Sequence, residues 1–106
     1  MVQVVYDRAK CDLKVNGHAG SGEVGHDLVC ASTSILAYTL ASFVKNMKEA
    51  GQVDDPLITF EKGDVWISCD PPRELKPAVI LVFDSICAGF EILARDHPNN
   101  ISYEIR

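Results

Sequence analysis

The sequence predicts an α+β fold: a single two-layer domain in which two helices pack on one face of a mostly antiparallel sheet. Three observations support this prediction. Short β-rich segments occur in pairs joined by tight turns, two long segments have apolar residues at helical spacing, and the elements follow the order β-β-α-β-β-α-β. With 106 residues, the chain is long enough for one compact domain over residues 1–106 and too short for two.

The first two strands are predicted to form a hairpin at the N-terminus. Residues 2–6 are β-rich. Apolar and polar residues alternate from Cys11 to Asn16, as expected of a strand with one buried face. The polar residues 7–10 between the two segments are typical of a turn, so the strands should pair.

The first helix is predicted from about Leu28 to Ala50. Asp27 is a good N-cap for it, and Gly51 is a good stop. The apolar residues that recur at close to helical spacing are Val29, Leu36, Leu40, Phe43 and Met47.

A second hairpin is predicted after the helix. Leu57–Glu61 and Val65–Cys69 are β-rich and flank Lys62-Gly63, a pair typical of a tight turn. Two prolines, Pro71 and Pro72, close the hairpin.

The second helix is predicted from about Glu74 to Asp96, with Pro77 in its first turn. Residues Ala78–Phe83 are apolar all round and could instead form a buried strand, but the helical period continues past them. A helix that is apolar on both sides needs two partners, so we expect the sheet on one side and a second subunit on the other. The residues predicted to share the core face are Val79, Phe83, Ile86, Phe90 and Leu93.

The last strand is predicted at Ile101–Ile105, where the apolar residues alternate again. The preceding Pro98-Asn99-Asn100 ends the second helix.

The net charge of −5 argues against a general nucleic-acid-binding role, because such proteins are basic. An acidic surface suits a basic partner better. The N-terminal residues contain no secretory signal, and no uninterrupted apolar run approaches the 18 residues of a membrane span. We therefore expect a cytoplasmic protein with no membrane partner.

The four cysteines should stay reduced in that compartment, and they form no CxxC pair. Three of them lie on apolar patterns and are predicted to be buried packing residues: Cys11, Cys69 and Cys87.

The segment GHAGSGEVGHDLVC, residues 17–30, concentrates glycines, histidines and a cysteine between a strand and a helix. Gly20, Gly22 and Gly25 match the GxGxxG spacing of a dinucleotide loop. A phosphate loop is nevertheless not expected, because the preceding hairpin predicts antiparallel pairing and Asp27 at the helix start would repel a phosphate.

A metal site is the second interpretation of this segment. His18, His26 and Cys30 are ligands that zinc accepts, with Asp27 nearby. Their spacing matches no common zinc module, so neither a metal nor a cofactor is expected.

A thiol nucleophile with a histidine base is the third interpretation. With Asp27 as the cap, Cys30 would be the third helical residue, where unpaired amides and the helix dipole favour a thiolate. His18, at the end of the preceding strand, could reach the sulfur if the glycine loop folds back. The structural alternative remains open: a small apolar cysteine, a surface histidine and glycines that serve only turns.

These residues resemble the ribosomal-processing cysteine protease family of bacteria. The resemblance is carried by Gly17-His18-Ala19-Gly20, by Gly25-x-Asp27-x-Val29-Cys30-Ala31 and by Ser34. It implies a small cytoplasmic homodimer with endopeptidase activity. Its substrate would be the precursor of a large-subunit ribosomal protein, the twenty-seventh of the L series. The enzyme would remove a short N-terminal extension by cutting after an aromatic residue.

The resemblance also implies roles for single residues. Cys30 would be the nucleophile and His18 the general base. His26 is a departure from the family that adds a second imidazole in a variable position, and it is a rival base. The residues Gly17, Gly20 and Gly25 would shape the loop, and Ser34 would support the site. Asp27 would cap the helix or orient the histidine, and the cap is favoured.

Two segments depart from the family pattern: residues 21–24, in the family's variable loop, and Ser32-Thr33, where the family has a more apolar Ala-Val pair. The alternative function is a ribosome-associated binding module with an inert thiol. Four aromatic residues are candidates for binding the substrate's aromatic side chain, although core packing is expected for most of them: Tyr6, Tyr38, Phe60 and Trp66.

Overall fold

Seven elements follow one another in the predicted order β-β-α-β-β-α-β. The computed structural model describes the backbone of residues 1–17 and 26–106 and the side chains of residues 1–17 and 28–106. The elements are β1 (Val2–Asp7), β2 (Asp12–Asn16), α1 (His26–Glu49), β3 (Leu57–Glu61), β4 (Asp64–Ser68), α2 (Lys76–Asp96) and β5 (Ile101–Ile105).

The five strands form one sheet in the order β3-β4-β2-β1-β5. Both predicted hairpins are present as antiparallel pairs, with Val4 opposite Val15 in the first and Phe60 opposite Val65 in the second. β2 and β4 also pair antiparallel and join the two hairpins. β5 pairs parallel to β1, because α2 crosses over the sheet and brings the chain back in the same direction. The mostly antiparallel sheet is therefore confirmed.

The core lies between one face of the sheet and the two helices. Alternate residues of β1 and β2 are buried there, including Val4, Tyr6 and Leu13, while Gln3 and Lys14 face solvent on the other side. The predicted core face of α2 is also confirmed, since Val79, Phe83 and Phe90 are buried, and Ile86 and Leu93 pack against the core.

Both helices differ from their predicted starts by two residues. α1 begins at His26 instead of Leu28, and α2 begins at Lys76 instead of Glu74. Asp27 therefore lies inside the first turn of α1 and is not the residue that precedes it. An acidic residue complements the helix dipole in the first turn as it does at the cap, and the role of the Asp27 side chain stays a prediction.

The three cysteines predicted to be packing residues, Cys11, Cys69 and Cys87, are buried. Burial raises the pKa of the Cys69 thiol to about 12. Burial likewise raises the pKa of the Cys87 thiol to about 12. Because a thiol attacks as a thiolate, these groups are poor nucleophiles at neutral pH.

The expectation that no segment could cross a membrane does not hold on composition. Two helices among the described residues, Leu28–Glu49 and Lys76–Asp96, are long and apolar enough to do so. Neither helix contains an uninterrupted apolar run of that length, but the mean hydropathy over 18 residues is high despite the few charged residues in each helix. In the fold both helices contribute buried residues to the core, and core helices of soluble proteins have the same composition.

Candidate active site

A cleft of about 390 Å³ opens where α1 meets the turn between β3 and β4. One wall is the face of α1 that carries Cys30 and Ser34, and the other is the β3–β4 hairpin from Phe60 to Val65. Gly17, at the end of β2, lies on the same cleft. The fold therefore brings together Cys30, Ser34 and Gly17 from the predicted site.

Cys30 is the fifth residue of α1, a half-buried cysteine that packs against the edge of the core. The prediction that it is the third helical residue is wrong, because the helix starts two residues earlier. The unpaired amides belong to the first four residues, and the effect of the dipole declines beyond the first turn. The place of Cys30 in the helix therefore gives less support to a nucleophilic role than the sequence predicted, and that role stays a prediction.

Gly17, the residue after β2, has a conformation that only glycine adopts readily. Its φ is +92°, and a Cβ built on it would overlap the carbonyl oxygen of Met1. Its N–H donates a hydrogen bond to the carbonyl oxygen of Gly63 at 2.9 Å. These contacts fix the direction in which the chain leaves the sheet, one residue before His18.

The rest of the predicted site lies outside the described residues. His18, Gly20 and Gly25 belong to the segment 18–25, and the side chains of His26 and Asp27 are likewise outside the description. The roles given to these residues from the sequence therefore stay predictions.

Two aliphatic hydroxyl side chains of α1 also line the cleft, those of Thr33 and Ser34. Ser34 is exposed. The Oγ1 atom of Thr33 is buried and has no hydrogen-bond partner among the described residues. The sequence singled out Thr33 only as a departure from the family pattern, and no pattern signalled that its hydroxyl would be buried.

The four candidate aromatic residues separate into three environments. Tyr38 and Phe60 line the cleft and stack with ring centres 4.8 Å apart and planes 8° from parallel. Tyr6 is buried in the core, as expected. Trp66 lies on the open face of the sheet, where its ring nitrogen donates a hydrogen bond to Asp12 at 2.7 Å. The expectation of core packing is thus wrong for three of the four aromatic residues and correct for Tyr6.

Three charged side chains at the β3–β4 turn border the cleft: Glu61, Lys62 and Asp64. Asn16 donates a hydrogen bond to Asp64 and ties the turn to the end of β2. Over the residues that the structure describes, no group of three or more histidine, cysteine or acidic side chains could hold a metal ion.

Comparison with protein families matches residues 1–102 to the family described as cysteine protease Prp. Comparison with curated proteins gives no match.

Among solved structures, the chain is similar to the essential ribosomal processing protease Prp from S. aureus. In complex with a substrate peptide, that protein superposes with a TM-score of 0.71 at 20% identity, over 99% of this chain and 97% of that chain. In complex with a covalently linked product peptide, it gives a TM-score of 0.68 at 23% identity over the same shares. SMU.848 from Streptococcus mutans superposes with a TM-score of 0.65 at 24% identity, over 98% of this chain and 90% of that chain. At these identities the structural likeness shows a shared fold.

Proposed function

The chain belongs to the cysteine protease Prp family, and we propose that it removes a short N-terminal extension from the twenty-seventh large-subunit ribosomal protein in the cytoplasm. The observation that carries the proposal is the position of Cys30. It is the one cysteine that is not fully buried among the described residues, and it lies on a cleft with an apolar wall. The other three thiols are buried.

Cys30 and His18 form the proposed catalytic dyad. His18 takes the thiol proton, and the sulfur attacks the carbonyl carbon of the scissile bond. Backbone amides at the helix start and in the glycine loop stabilise the oxyanion. The tetrahedral intermediate collapses as His18 protonates the leaving amine, and water then releases the acyl group from the sulfur. Gly17 supports this role for His18, because it fixes the preceding peptide.

The Tyr38–Phe60 pair is the proposed binding surface for an aromatic side chain of the substrate. Both rings are partly exposed, so a third ring can pack against them. Tyr38 follows Cys30 by eight residues, which is about 12 Å along a helix. An extended peptide spans that distance in about three to four residues. The pair is therefore proposed to bind a substrate residue about three positions from the scissile bond. The aromatic residue at the cut itself would lie closer to Cys30.

The negative charge supports a basic substrate. The chain carries a net charge of −5, and Glu61 and Asp64 border the cleft. Opposite charge accelerates the encounter with a basic ribosomal protein more than it improves specificity.

A second copy of the chain is the proposed partner of α2. Five residues form an outward stripe at helical spacing: Ala78, Leu81, Ser85, Ala88 and Ile92. Leu81 is 66% exposed and Ile92 is 48% exposed, although both are large and apolar. Exposed apolar stripes of this kind mark interfaces, which supports a homodimer.

Incubation of the purified protein with the extended ribosomal protein tests the proposal. We expect one cut, located by mass spectrometry of both products, and loss of cleavage in Cys30→Ala and His18→Ala. His26→Ala is the matched control, because it removes the rival base and should retain activity. If Cys30→Ala or His18→Ala cuts as fast as the parent, the dyad is wrong. If the parent does not cut, the substrate assignment fails.

A further inference from the structure

The Thr33 hydroxyl lacks the local hydrogen bond that two other helical hydroxyls of this protein make. Thr39 donates to the carbonyl oxygen of Ile35 at 2.6 Å, and Ser85 donates to that of Leu81 at 2.7 Å. These are the usual local partners of a helical hydroxyl, four residues back along the chain. The Thr33 Oγ1 atom is buried without any partner in the described part of the chain. A buried polar group in that state lowers stability, and a role in catalysis is one reason for a native protein to retain it.

Its position relates this hydroxyl to Cys30. The two residues are three apart on α1 and share one helix face, and both line the cleft. Helical side chains lean toward the N-terminus, so the side chain of Thr33 leans over the turn that carries Cys30. Cys30 is itself half-buried against the core, which keeps water away from that side of the sulfur.

We propose that Thr33 is a positioning residue whose hydroxyl donates a hydrogen bond to the Cys30 sulfur once that sulfur is a thiolate. The proposal rests on Cys30 being the nucleophile. A neutral thiol is a weak acceptor, so the hydroxyl gains little from it before ionisation. A thiolate is a strong, charged acceptor, and rotation about the Cα–Cβ bond of Thr33 turns the hydroxyl toward it. The hydrogen bond stabilises the attacking form and holds the sulfur toward the cleft.

The charged groups around the cleft do not account for the same effect. Glu61, Lys62 and Asp64 come from the β3–β4 turn on the opposite wall. All three lie across the cleft from α1, so none of them replaces a hydrogen-bond donor on the helix beside Cys30. A substitution at Thr33 leaves all three unchanged, which isolates the contribution of the hydroxyl.

Thr33→Val tests the proposal, because valine keeps the branched shape and removes only the hydroxyl. The first measurement is the rate of iodoacetamide modification of Cys30 against pH, without substrate. We expect the midpoint to rise by about one pH unit, the size expected for a hydrogen bond to a charged group. The second is cleavage of a peptide spanning the cut. We expect kcat to fall about tenfold near neutral pH while KM stays within twofold.

Two further variants separate the proposed role from a structural one. Thr33→Ser retains a hydroxyl, so its alkylation midpoint and its kcat should both lie close to those of the parent. Thr39→Val removes a hydroxyl of the same helix that already has a partner, and it should shift neither readout. Because the lost group has no partner, Thr33→Val should melt at or above the temperature of the parent.

An unchanged alkylation midpoint in folded Thr33→Val overturns the proposal. A rise in KM with an unchanged midpoint also overturns it, because the hydroxyl would then serve the peptide instead of the sulfur. If the parent fails to cleave but the midpoint shifts, the substrate assignment fails while the contact of Thr33 with Cys30 stands. If the parent cleaves and the midpoint does not shift, only the role of Thr33 fails.

Discussion

The ring of Tyr38 lies parallel to that of Phe60, 4.8 Å between centres, although one belongs to α1 and the other to the edge strand β3. The contact joins the helix that carries Cys30 to the hairpin that forms the opposite wall of the cleft. Both rings keep part of their surface exposed. The pair therefore serves as a tie between two elements and as an apolar surface available to a peptide.

Replacing either ring of this pair should weaken peptide binding. We expect Phe60→Ala to raise KM roughly tenfold, since loss of a partly exposed aromatic contact is worth about 1–2 kcal/mol, with a smaller change in kcat. Trp66→Ala is the matched control, because that ring is also exposed but lies on the other face of the sheet. Steady-state kinetics with peptides that vary one position at a time measure the effect. Equal KM values for parent and Phe60→Ala would exclude this surface from substrate binding.

Gly17→Ala should damage both stability and activity. The new Cβ meets the Met1 carbonyl and the backbone has a φ of +92°, so we expect a loss of about 2 kcal/mol or more in the free energy of unfolding. Activity should fall further, because the adjacent residue is His18. Gly51→Ala is the control: its φ is +74°, but nothing lies within 4 Å, so only about 1 kcal/mol of backbone strain is expected. Urea unfolding compares the two, and equal losses would show that crowding at Gly17 is absent.

Asp84 should make stability depend on pH. The Arg8 guanidinium, at 3.0 Å, and the Tyr6 hydroxyl, at 2.8 Å, both donate to it, and these hydrogen bonds lower the pKa of the carboxyl. Because the pKa of the carboxyl is lower in the folded state, ionisation of Asp84 stabilises the fold. This stabilisation is fully present above the pKa of the unfolded state, about 4, and is lost as pH falls through the pKa of the folded state. Asp84→Asn should therefore be less stable than the parent at pH 7 by about 1 kcal/mol.

The difference in the free energy of unfolding between the parent and Asp84→Asn should shrink as pH falls below about 4, because the parent carboxyl is then protonated and uncharged, like the amide. Urea unfolding at a series of pH values measures it. Asp96→Asn is the control, because its only described contact is with its exposed neighbour Arg95. A stability difference for Asp84→Asn that is constant over the whole pH range would contradict the ionic role of this carboxylate.

A charge on the outward stripe of α2 should dissociate the proposed dimer. In Leu81→Glu, burial of the carboxylate against a second copy would be strongly unfavourable, so we expect a monomer at micromolar concentration with an unchanged far-ultraviolet spectrum. Ser42→Glu, on the exposed side of α1, is the control. Light scattering coupled to gel filtration measures the mass. A monomeric parent, or a dimeric Leu81→Glu, would rule out this interface.

The fold was predictable because its signals are local. Alternation after Cys11, the Lys62-Gly63 turn and the periodic apolar residues of α2 each depend on neighbours within a few positions. Helix starts were less predictable, since a favourable acidic residue such as Asp27 fits the cap position and the first turn nearly equally well.

The site was predictable only where its residues lie close together in sequence. The family motif indicated Cys30 and Gly17, and both line the cleft. The Tyr38–Phe60 stack joins residues from different elements, and which side of the sheet Trp66 occupies depends on strand register. The buried hydroxyl of Thr33 depends on packing between layers, which one sequence does not reveal.

The parallel pairing of β1 with β5 has a practical consequence for anyone who fuses a purification tag to this protein. Val2 lines the cleft and Met1 crowds Gly17, so a tag attached before Met1 begins beside the cleft. Ile105 pairs with Tyr6, at the other end of β1. A tag attached after Arg106 therefore begins about a full strand length, roughly 13 Å, from that opening. Kinetic work on this enzyme should use the second arrangement.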